Sequence, residues 1–188
     1  MDDLIGSRIC GGNTAYKRNA SDFYPTPPEA TQALLDFLEI PQGSLVWEPA
    51  CGEGHMAEVM RKNGLNVVAT DIQTGTDFLT ADLPEGVQWI ITNPPFSLAE
   101  QFIRKSANHN VPFAMLLKSQ YWHAAKRVAL FSDIRPAYVL PLTWRPDFLF
   151  EARGGSPLME VHWCVWTQGS SKTEYIPLIK PRGGTHKW

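Results

Sequence analysis

Short apolar segments alternate with longer amphipathic ones along most of the chain. The short segments are rich in β-branched or aromatic residues and are bounded by turn-forming residues, which is typical of buried strands. The predicted strands are 44–47, 66–70, 89–92, 111–117 and 137–140, with a very short one at 77–79. The amphipathic segments predict helices after Thr26 and at 55–62, 97–106 and 121–131. Thr26, Pro27 and Glu29 form a capping-box pattern that predicts where the first helix begins.

The last apolar segments follow a different pattern. Residues 161–166 and 174–179 flank the turn-forming sequence Gln168–Ser171 and predict a β-hairpin. The whole order of elements predicts an α/β fold, a single-domain, doubly wound, mostly parallel seven-stranded sheet with this antiparallel hairpin at one edge. Residues 1–20 lack periodicity and are expected to form a flexible N-terminal arm, and residues 21–188 are expected to form the folded domain.

Composition narrows the class of protein. The 188 residues are 44% hydrophobic and 19% charged, as in folded domains, and no apolar run reaches the length of a membrane span. The N-terminus has no apolar signal region. Cys10, Cys51 and Cys164 are too few and too scattered for a disulfide framework or a zinc site. We therefore expect a cytoplasmic protein with reduced thiols and no bound metal.

Charge is unevenly distributed along the chain. Residues 1–117 carry 7 Lys and Arg against 14 Asp and Glu, whereas residues 118–188 carry 10 against 5. A basic region suits the phosphates of a nucleic acid. An uneven solvated surface explains the same counts equally well.

Aromatic residues are interleaved with the basic ones in this second part. Residues 140–148, with Lys118, Tyr121, Trp122 and His123, are candidates for a nucleic-acid cleft, because such mixtures suit phosphate contacts and base stacking. Inward packing of the aromatic rings is the alternative. In contrast, His162, Trp163 and Trp166 lie within a predicted strand and are expected to be packing residues.

A glycine-containing loop, Glu48–Gly54, lies between a predicted strand and a predicted helix. Small residues let the backbone approach a ligand, and the N-terminus of the helix offers N–H groups to a carboxylate or a phosphate. Asp71 ends the next strand, where an acid can accept hydrogen bonds from both ribose hydroxyls. The loop lacks the P-loop and three-glycine dinucleotide patterns, which disfavours nucleotide hydrolysis and dehydrogenation. The structural alternative is a glycine turn followed by a capping aspartate.

The tetrapeptide Asn93-Pro94-Pro95-Phe96 follows an apolar strand and precedes a helix, at the edge of the sheet where ligands bind. Its prolines lack N–H groups, so the corner presents acceptors on Asn93 and Pro94, and Phe96 adds a flat face. Two acceptors that hold the hydrogens of an adenine amine favour a pyramidal nitrogen, which can attack a sulfonium methyl group. A strand-terminating turn with a core phenylalanine is the alternative.

In this order, the motifs resemble those of the amino-methyltransferases, especially the N6-adenine DNA methyltransferases, including compact ones of phages and prophages. The resemblance covers roughly residues 22–167. It implies a Rossmann-like class I methyltransferase fold, S-adenosylmethionine as the cofactor and a flipped adenine in double-stranded DNA as the target. It assigns catalysis to Asn93, Pro94, Pro95 and Phe96. It assigns cofactor binding to Tyr24, Pro25, Thr26, Glu48, Pro49, Ala50, Cys51, Gly52, Gly54, Asp71, Ile72, Asp77 and Phe78.

The sequence departs from this family in two places. The upstream segment reads Tyr-Pro-Thr-Pro where Tyr-Thr-Pro is more usual. The stretches between Gly54 and Asn93 and after Phe96 are short for a target-recognition domain. Sequence specificity is therefore expected either to be low or to be supplied by loops, the arm or a second subunit.

Three hypotheses about the substrate and activity therefore stay open. The first is methylation of adenine in DNA. The second is methylation of adenine in RNA or of a glutamine amide in protein, which related families carry out. The glutamine enzymes usually have tyrosine where Phe96 stands, together with a separate N-terminal helical domain. The last hypothesis is a non-catalytic subunit of a methyltransferase pair, but such partners often lose the tetrapeptide that this chain retains.

Overall fold

Seven strands form one mixed sheet in the computed structural model, which describes residues 25–148 and 159–182. The strands are β1 Leu45–Glu48, β2 Asn66–Ala69, β3 Trp89–Thr92, β4 Phe113–Lys118, β5 Tyr138–Pro141, β6 Val161–Trp166 and β7 Glu174–Tyr175. The helices are α1 Pro28–Leu38, α2 His55–Lys62, α3 Ala99–Ala107 and α4 Val128–Asp133. The predicted doubly wound, mostly parallel α/β fold is confirmed. The predicted N-terminal arm lies outside the described residues.

The strand order, β2-β1-β3-β4-β6-β5-β7, fixes where a ligand can bind. Strand β1 pairs in parallel with β2 on one side and with β3 on the other. The order of the strands therefore reverses at β1. In open parallel sheets, ligands bind beyond the carboxyl ends of the strands at such a reversal. The loops that follow β1, β2 and β3 all leave the sheet at this place.

Two apolar layers cover the faces of the sheet. Because side chains alternate along a strand, Ala114 and Leu116 of β4 pack with α1 and α2, whereas Met115 and Leu117 pack with α3 and α4. The helices of the described ranges do not combine the length and the apolar character needed to cross a membrane.

The predicted hairpin is wrong. Strand β6 pairs antiparallel with β4 along six residues and with β5 along four, so it lies inside the sheet rather than at its edge. All six residues of β6 are buried, and a buried strand needs partners for its backbone on both sides. Strand β7 instead pairs in parallel with β5 at the far edge.

Three further predictions differ from the structure. Residues 77–79 form a turn instead of a strand, because the Asp77 carboxylate accepts the backbone N–H of Leu79. The predicted helix at 121–131 is replaced by 3-10 turns at Ser119–Trp122 and Ala125–Arg127, followed by α4. Helix α1 begins at Pro28 without a side-chain cap, so Thr26 does not have the predicted capping role.

His162, as predicted, is a packing residue of β6. Its Nε2 atom accepts a hydrogen bond of 2.7 Å from the indole N–H of Trp122. Burial lowers the pKa of His162 from 6.5 to about 4. Between these two values the unfolded chain binds a proton that the folded protein does not bind, so His162 lowers the free energy of unfolding as the pH falls from 6.5 to 4.

We predict that His162→Gln, which retains an acceptor for Trp122 but cannot titrate, removes this contribution. As the pH falls from 6.5 to 4, the wild type should lose stability relative to the variant by up to about 1.4 kcal/mol per pH unit. Urea unfolding at a series of pH values measures the difference. His123→Gln, in the exposed stretch next to Trp122, is the matched control. A constant difference between His162→Gln and wild type would contradict a buried neutral histidine.

Candidate functional site

A cleft opens at the carboxyl ends of β1, β2 and β3. It brings together most of the residues that the sequence singles out, although they come from four separate segments. The predicted residues that line it are Pro25, Thr26, Glu48, Pro49, Ala50, Cys51, Asp71, Ile72, Asp77, Phe78, Asn93, Pro94, Pro95 and Phe96. Gly52 and Gly54 shape the loop beside the cleft, and Tyr24 lies outside the described residues.

The glycine loop turns the chain from β1 into α2. Gly54 is the residue before the helix and has a φ of 85°, a left-handed conformation that favours glycine. The backbone N–H of Cys51 donates to the carbonyl of Thr70, so the loop is also tied to the end of β2. The N-terminus of α2 is thereby directed toward the cleft, where His55 and Met56 line the wall.

Asp71 joins the loop to the segment that follows β2. One carboxylate oxygen accepts the backbone N–H of Gly52 at 2.9 Å, and the other accepts that of Gln73 at 2.9 Å. A carboxylate has about four acceptor positions, so Asp71 can still accept ligand hydroxyls. Ile72, the next residue, is 70% exposed at the rim. An exposed apolar side chain beside a buried acid suits a ligand that combines a flat ring with hydroxyl groups.

Glu48 is the most buried charged residue of the cleft, with an exposed fraction of 1%. Burial raises the pKa of its carboxyl from 4.5 to about 8, although the N–H of Ala57 and the charge of Arg61 favour the ionised form. Within residues 25–148 and 159–182, its Oε2 atom has no hydrogen-bond partner. A buried acceptor in this state is costly, and a cationic or N–H-bearing ligand group would satisfy it.

The thiol of Cys51 is near two acids. Burial, followed by the nearby charges of Glu48 and Asp71, raises its pKa above the ordinary value of 9.0. A protonated thiol is a weak nucleophile, so the cleft does not activate Cys51 for covalent chemistry.

Phe78 is part of the core beneath the cleft. Its ring packs edge-on against Trp47, with ring centroids 5.0 Å apart, and lies 4.6 Å from the ring of Phe102. Phe78 therefore forms the floor of the cleft, whereas Asp77 holds the turn that carries it.

The Asn-Pro-Pro-Phe corner forms the opposite wall of the cleft. The Nδ2 atom of Asn93 donates to the Oγ1 of Thr26 at 3.0 Å, which joins the corner to the segment before α1. The carbonyl of Pro95 accepts the N–H of Leu98 at 2.8 Å and closes the turn into α3. The corner is thus held at both ends, and its acceptors lie on the same cleft as Asp71 and Glu48.

A cation lies next to the aromatic residue of this corner. The Nζ atom of Lys118, at the end of β4, is 4.0 Å from the centroid of the Phe96 ring. This distance is that of a cation–π interaction. The contact places a positive charge over one face of the Phe96 ring.

The other residues predicted for a nucleic-acid cleft are mostly engaged within the protein. Tyr121 is buried under the Arg127 guanidinium, which lies 3.3 Å from its ring centroid. Burial raises the pKa of Tyr121 to about 12, so its hydroxyl stays protonated at neutral pH. The Trp122 ring stacks on Phe131. Inward packing is therefore the better interpretation of these two rings.

The remaining basic candidates lie on the surface or outside the described residues. Arg145 forms an ion pair of 2.6 Å with Glu160. His123 and Lys126 are exposed. Arg153, another basic residue of the second part of the chain, is outside the described residues. Lys118, by contrast, lies directly against the Asn-Pro-Pro-Phe corner.

Sequence interpretation missed several residues of the cleft. These are His55, Met56, Gln73, Thr76, Leu98 and Phe102. Five of them directly follow or lie near a predicted motif, so their position after a strand end was an available signal. Phe102 had none, because an apolar residue in an amphipathic helix is expected in the core.

Comparison with known proteins gives one relative by sequence. The chain is 31% identical over 106 residues to an S-adenosyl-L-methionine-dependent Diels-Alderase of Talaromyces variabilis. The match includes 53% of this chain and 35% of that protein. No protein-family model matches the chain.

Solved structures resemble a larger part of the chain. The methyltransferase subunit of a type I restriction-modification system from Streptococcus thermophilus matches 93% of it with a TM-score of 0.58 and 14% identity. A Listeria monocytogenes protein assigned to the class I S-adenosylmethionine-dependent methyltransferases matches 88% of it with a TM-score of 0.60 and 13% identity. The chain covers 50% of the first and 68% of the second. It thus spans half the length of the streptococcal subunit and about a third of the Diels-Alderase. Together with the strand order, these likenesses show that the chain has the class I methyltransferase fold.

Proposed function

We propose that this protein transfers the methyl group of S-adenosylmethionine to the N6 amine of adenine in DNA. The observation that carries the proposal is the single cleft that joins the glycine loop and Asp71 to the Asn-Pro-Pro-Phe corner. One side suits a nucleoside with a charged amino-acid tail, and the other suits a planar amine. A methyl donor and its acceptor would meet between these two sides.

The residues on the cofactor side fit S-adenosylmethionine chemically. Asp71 would accept the ribose hydroxyls, and the exposed Ile72 would pack against the adenine ring. The buried Oε2 atom of Glu48 lacks a partner among the described residues, and a cationic group of the methionine moiety would supply one. The relative and the Listeria protein are both described as S-adenosylmethionine-dependent, which agrees with this cofactor.

The chemistry needs orientation more than it needs a base. When bound, the cofactor supplies a sulfonium methyl carbon that accepts the N6 lone pair, while the electrons of the broken carbon–sulfur bond stay on sulfur and one N6 proton is released to water. Asn93 and the Pro94 carbonyl would hold the amine hydrogens and direct the lone pair toward that carbon. Correct placement of the two reactants supplies much of the rate acceleration in such reactions.

The residues on the target side of the cleft favour a base within a nucleic acid as the substrate. An adenine inside a duplex must leave the stack to reach the corner, and stacking on Phe96 would recover part of that cost. Lys118, beside the Phe96 ring, would neutralise a phosphate next to the extruded base. A small-molecule amine would gain little from this charge.

Two other substrates are chemically compatible with the corner. RNA adenine and a protein glutamine amide present similar planar amines. The relative found by sequence is an S-adenosyl-L-methionine-dependent Diels-Alderase, so dependence on this cofactor is not by itself evidence of methyl transfer.

We propose residues 21–188 as the catalytic domain, with sequence recognition supplied by a second subunit. The streptococcal neighbour is itself a subunit of a larger system.

We predict that cofactor binding depends on the ionisation of Glu48. The folded protein holds a proton on Glu48 that the unfolded chain has lost, so stability declines as the pH rises from 4.5 to about 8. His162 changes the free energy of unfolding only between pH 4 and 6.5, so above pH 6.5 it adds no further pH dependence. From pH 6.5 to 8, wild type should therefore lose up to about 1.4 kcal/mol per pH unit relative to Glu48→Gln.

Over the same range, the affinity for S-adenosylmethionine should rise with pH more in wild type than in Glu48→Gln, because the amino group of the ligand titrates in both. Calorimetry and urea unfolding measure the two effects. Glu58→Gln is the matched control, since it removes an exposed glutamate of α2 that pairs with Lys62 at 2.7 Å. A pH-independent affinity in wild type would contradict the role of Glu48.

We predict that Asn93→Ala abolishes methyl transfer while the cofactor dissociation constant changes less than about threefold, because Asn93 acts on the amine and not on the cofactor. Single-turnover methylation of an adenine-containing duplex measures the rate, and mass spectrometry identifies the modified base. Asn108→Ala, at the exposed end of α3, is the control. Methyl groups on cytosine, or on RNA or protein offered in place of the duplex, would reassign the substrate. A near-normal rate in Asn93→Ala would refute the mechanism.

We predict that Lys118→Met weakens DNA binding and reduces the slope of log affinity against log salt by about one, because one phosphate contact is lost. Methionine keeps an unbranched side chain of similar length but carries no charge. Lys118→Arg should restore the slope. The control is Lys126→Met, an exposed lysine away from the corner. If Lys118→Met and Lys126→Met change the slope equally, Lys118 has no special role.

A further inference from the structure

Thr26 is buried beside the corner and does not cap the helix that follows it. Its exposed fraction is 4%, and α1 begins without a side-chain cap. Its Oγ1 atom instead accepts the Nδ2 hydrogen of Asn93 at 3.0 Å, from a residue 67 positions away. The hydroxyl is therefore used to hold a side chain of the cleft.

The position of Thr26 is fixed by the elements around it. Pro27 and Pro28 restrict the backbone that follows, and the Pro27 carbonyl accepts the N–H of Ala30 at 3.0 Å. The Ala30 carbonyl in turn accepts the buried indole N–H of Trp163 on β6 at 2.9 Å. A chain of contacts thus runs from the centre of the sheet to Asn93.

The orientation of the Asn93 amide decides what the corner can bind. A primary amide has a donor end and an acceptor end, and a target amine requires the acceptor end. In the structure the Nδ2 group of Asn93, which is the donor, is hydrogen-bonded to Thr26. The acceptor atom Oδ1 is therefore on the side of the amide that does not contact the Thr26 hydroxyl. A reversed amide would place its N–H groups against the hydrogens of the target amine.

We propose that Thr26 is a positioning residue that fixes the Asn93 amide for the reaction, and not chiefly a contact to the cofactor. The inference rests on the proposed function, because it takes Asn93 as the group that holds the amine. It also gives the hydroxyl of the unusual Tyr-Pro-Thr-Pro segment a specific task.

The test compares Thr26→Val with Thr26→Ser. Valine keeps the shape but removes the acceptor, so the single-turnover rate at saturating cofactor and DNA should fall about 10- to 100-fold. Serine keeps the hydroxyl and should restore the rate to within about threefold of wild type. Calorimetric affinity for S-adenosylmethionine should change less than about twofold in both variants.

A second readout is independent of activity. In ¹H–¹⁵N NMR spectra of the protein without ligands, the side-chain amide signal of Asn93, identified by its loss in Asn93→Ala, should shift in Thr26→Val and return in Thr26→Ser. Thr31→Val is the matched control, because Thr31 is a buried threonine of α1 whose Oγ1 has no partner in the described part of the chain. It should change neither the signal nor the rate.

The outcomes separate this inference from the proposed function. Normal turnover in Thr26→Val would overturn the positioning role while leaving the methyltransferase activity intact. A large loss of cofactor affinity with a normal rate at saturation would also overturn it, because Thr26 would then be a cofactor contact. If the wild type methylates neither DNA adenine, RNA nor protein, the proposed function is overturned, and the role of Thr26 in catalysis is overturned with it. This holds even if the Asn93 signal still shifts in Thr26→Val.

Discussion

Parallel pairing of β1 with both β2 and β3 is the constraint on which the cleft depends. The register aligns Glu48 with Ala69 and Trp47 with Ile90, so these three strands end at nearly the same level. The residues that follow them, in the glycine loop, at Asp71 and at Asn93, are therefore neighbours in space although they are far apart in sequence. A sheet with one of these strands reversed would carry its functional residue to the opposite edge.

The cleft concentrates acceptor groups, including those of two buried acids. Glu48 and Asp71 lie near each other, and the charge of Asp71 adds to the cost of ionising Glu48. Asp71 is stabilised by two backbone N–H groups, whereas one oxygen of Glu48 lacks a partner among the described residues. The two acids thus differ in kind: Asp71 organises the loop, and Glu48 stores an unfavourable interaction that a cationic ligand can relieve. A site built in this way favours a positively charged ligand over a neutral analogue of the same shape.

The sequence predicts the local elements and the motifs well, because both depend on neighbouring residues. Strands β1 to β5, the glycine loop and the Asn-Pro-Pro-Phe corner all follow from short patterns of apolar, glycine and proline residues. The placement of β6 does not, since its partners β4 and β5 are chosen by burial on both sides and not by the turn that follows it. The same limit applies to the contact between Thr26 and Asn93, to the raised pKa of Glu48 and to Arg127 lying over Tyr121. Each of these depends on residues that only the tertiary structure brings together.

The contact between Trp163 and Ala30 links residues that are 133 positions apart in the chain. During synthesis from the N-terminus, the first cleft segments leave the ribosome long before β6 does. The sheet then lacks the strand between β4 and β5, and α1 lacks its anchor on Trp163. Contacts of such long range form late because the intervening loop must close first. Until β6 is paired, the segment that holds Asn93 therefore lacks this anchor.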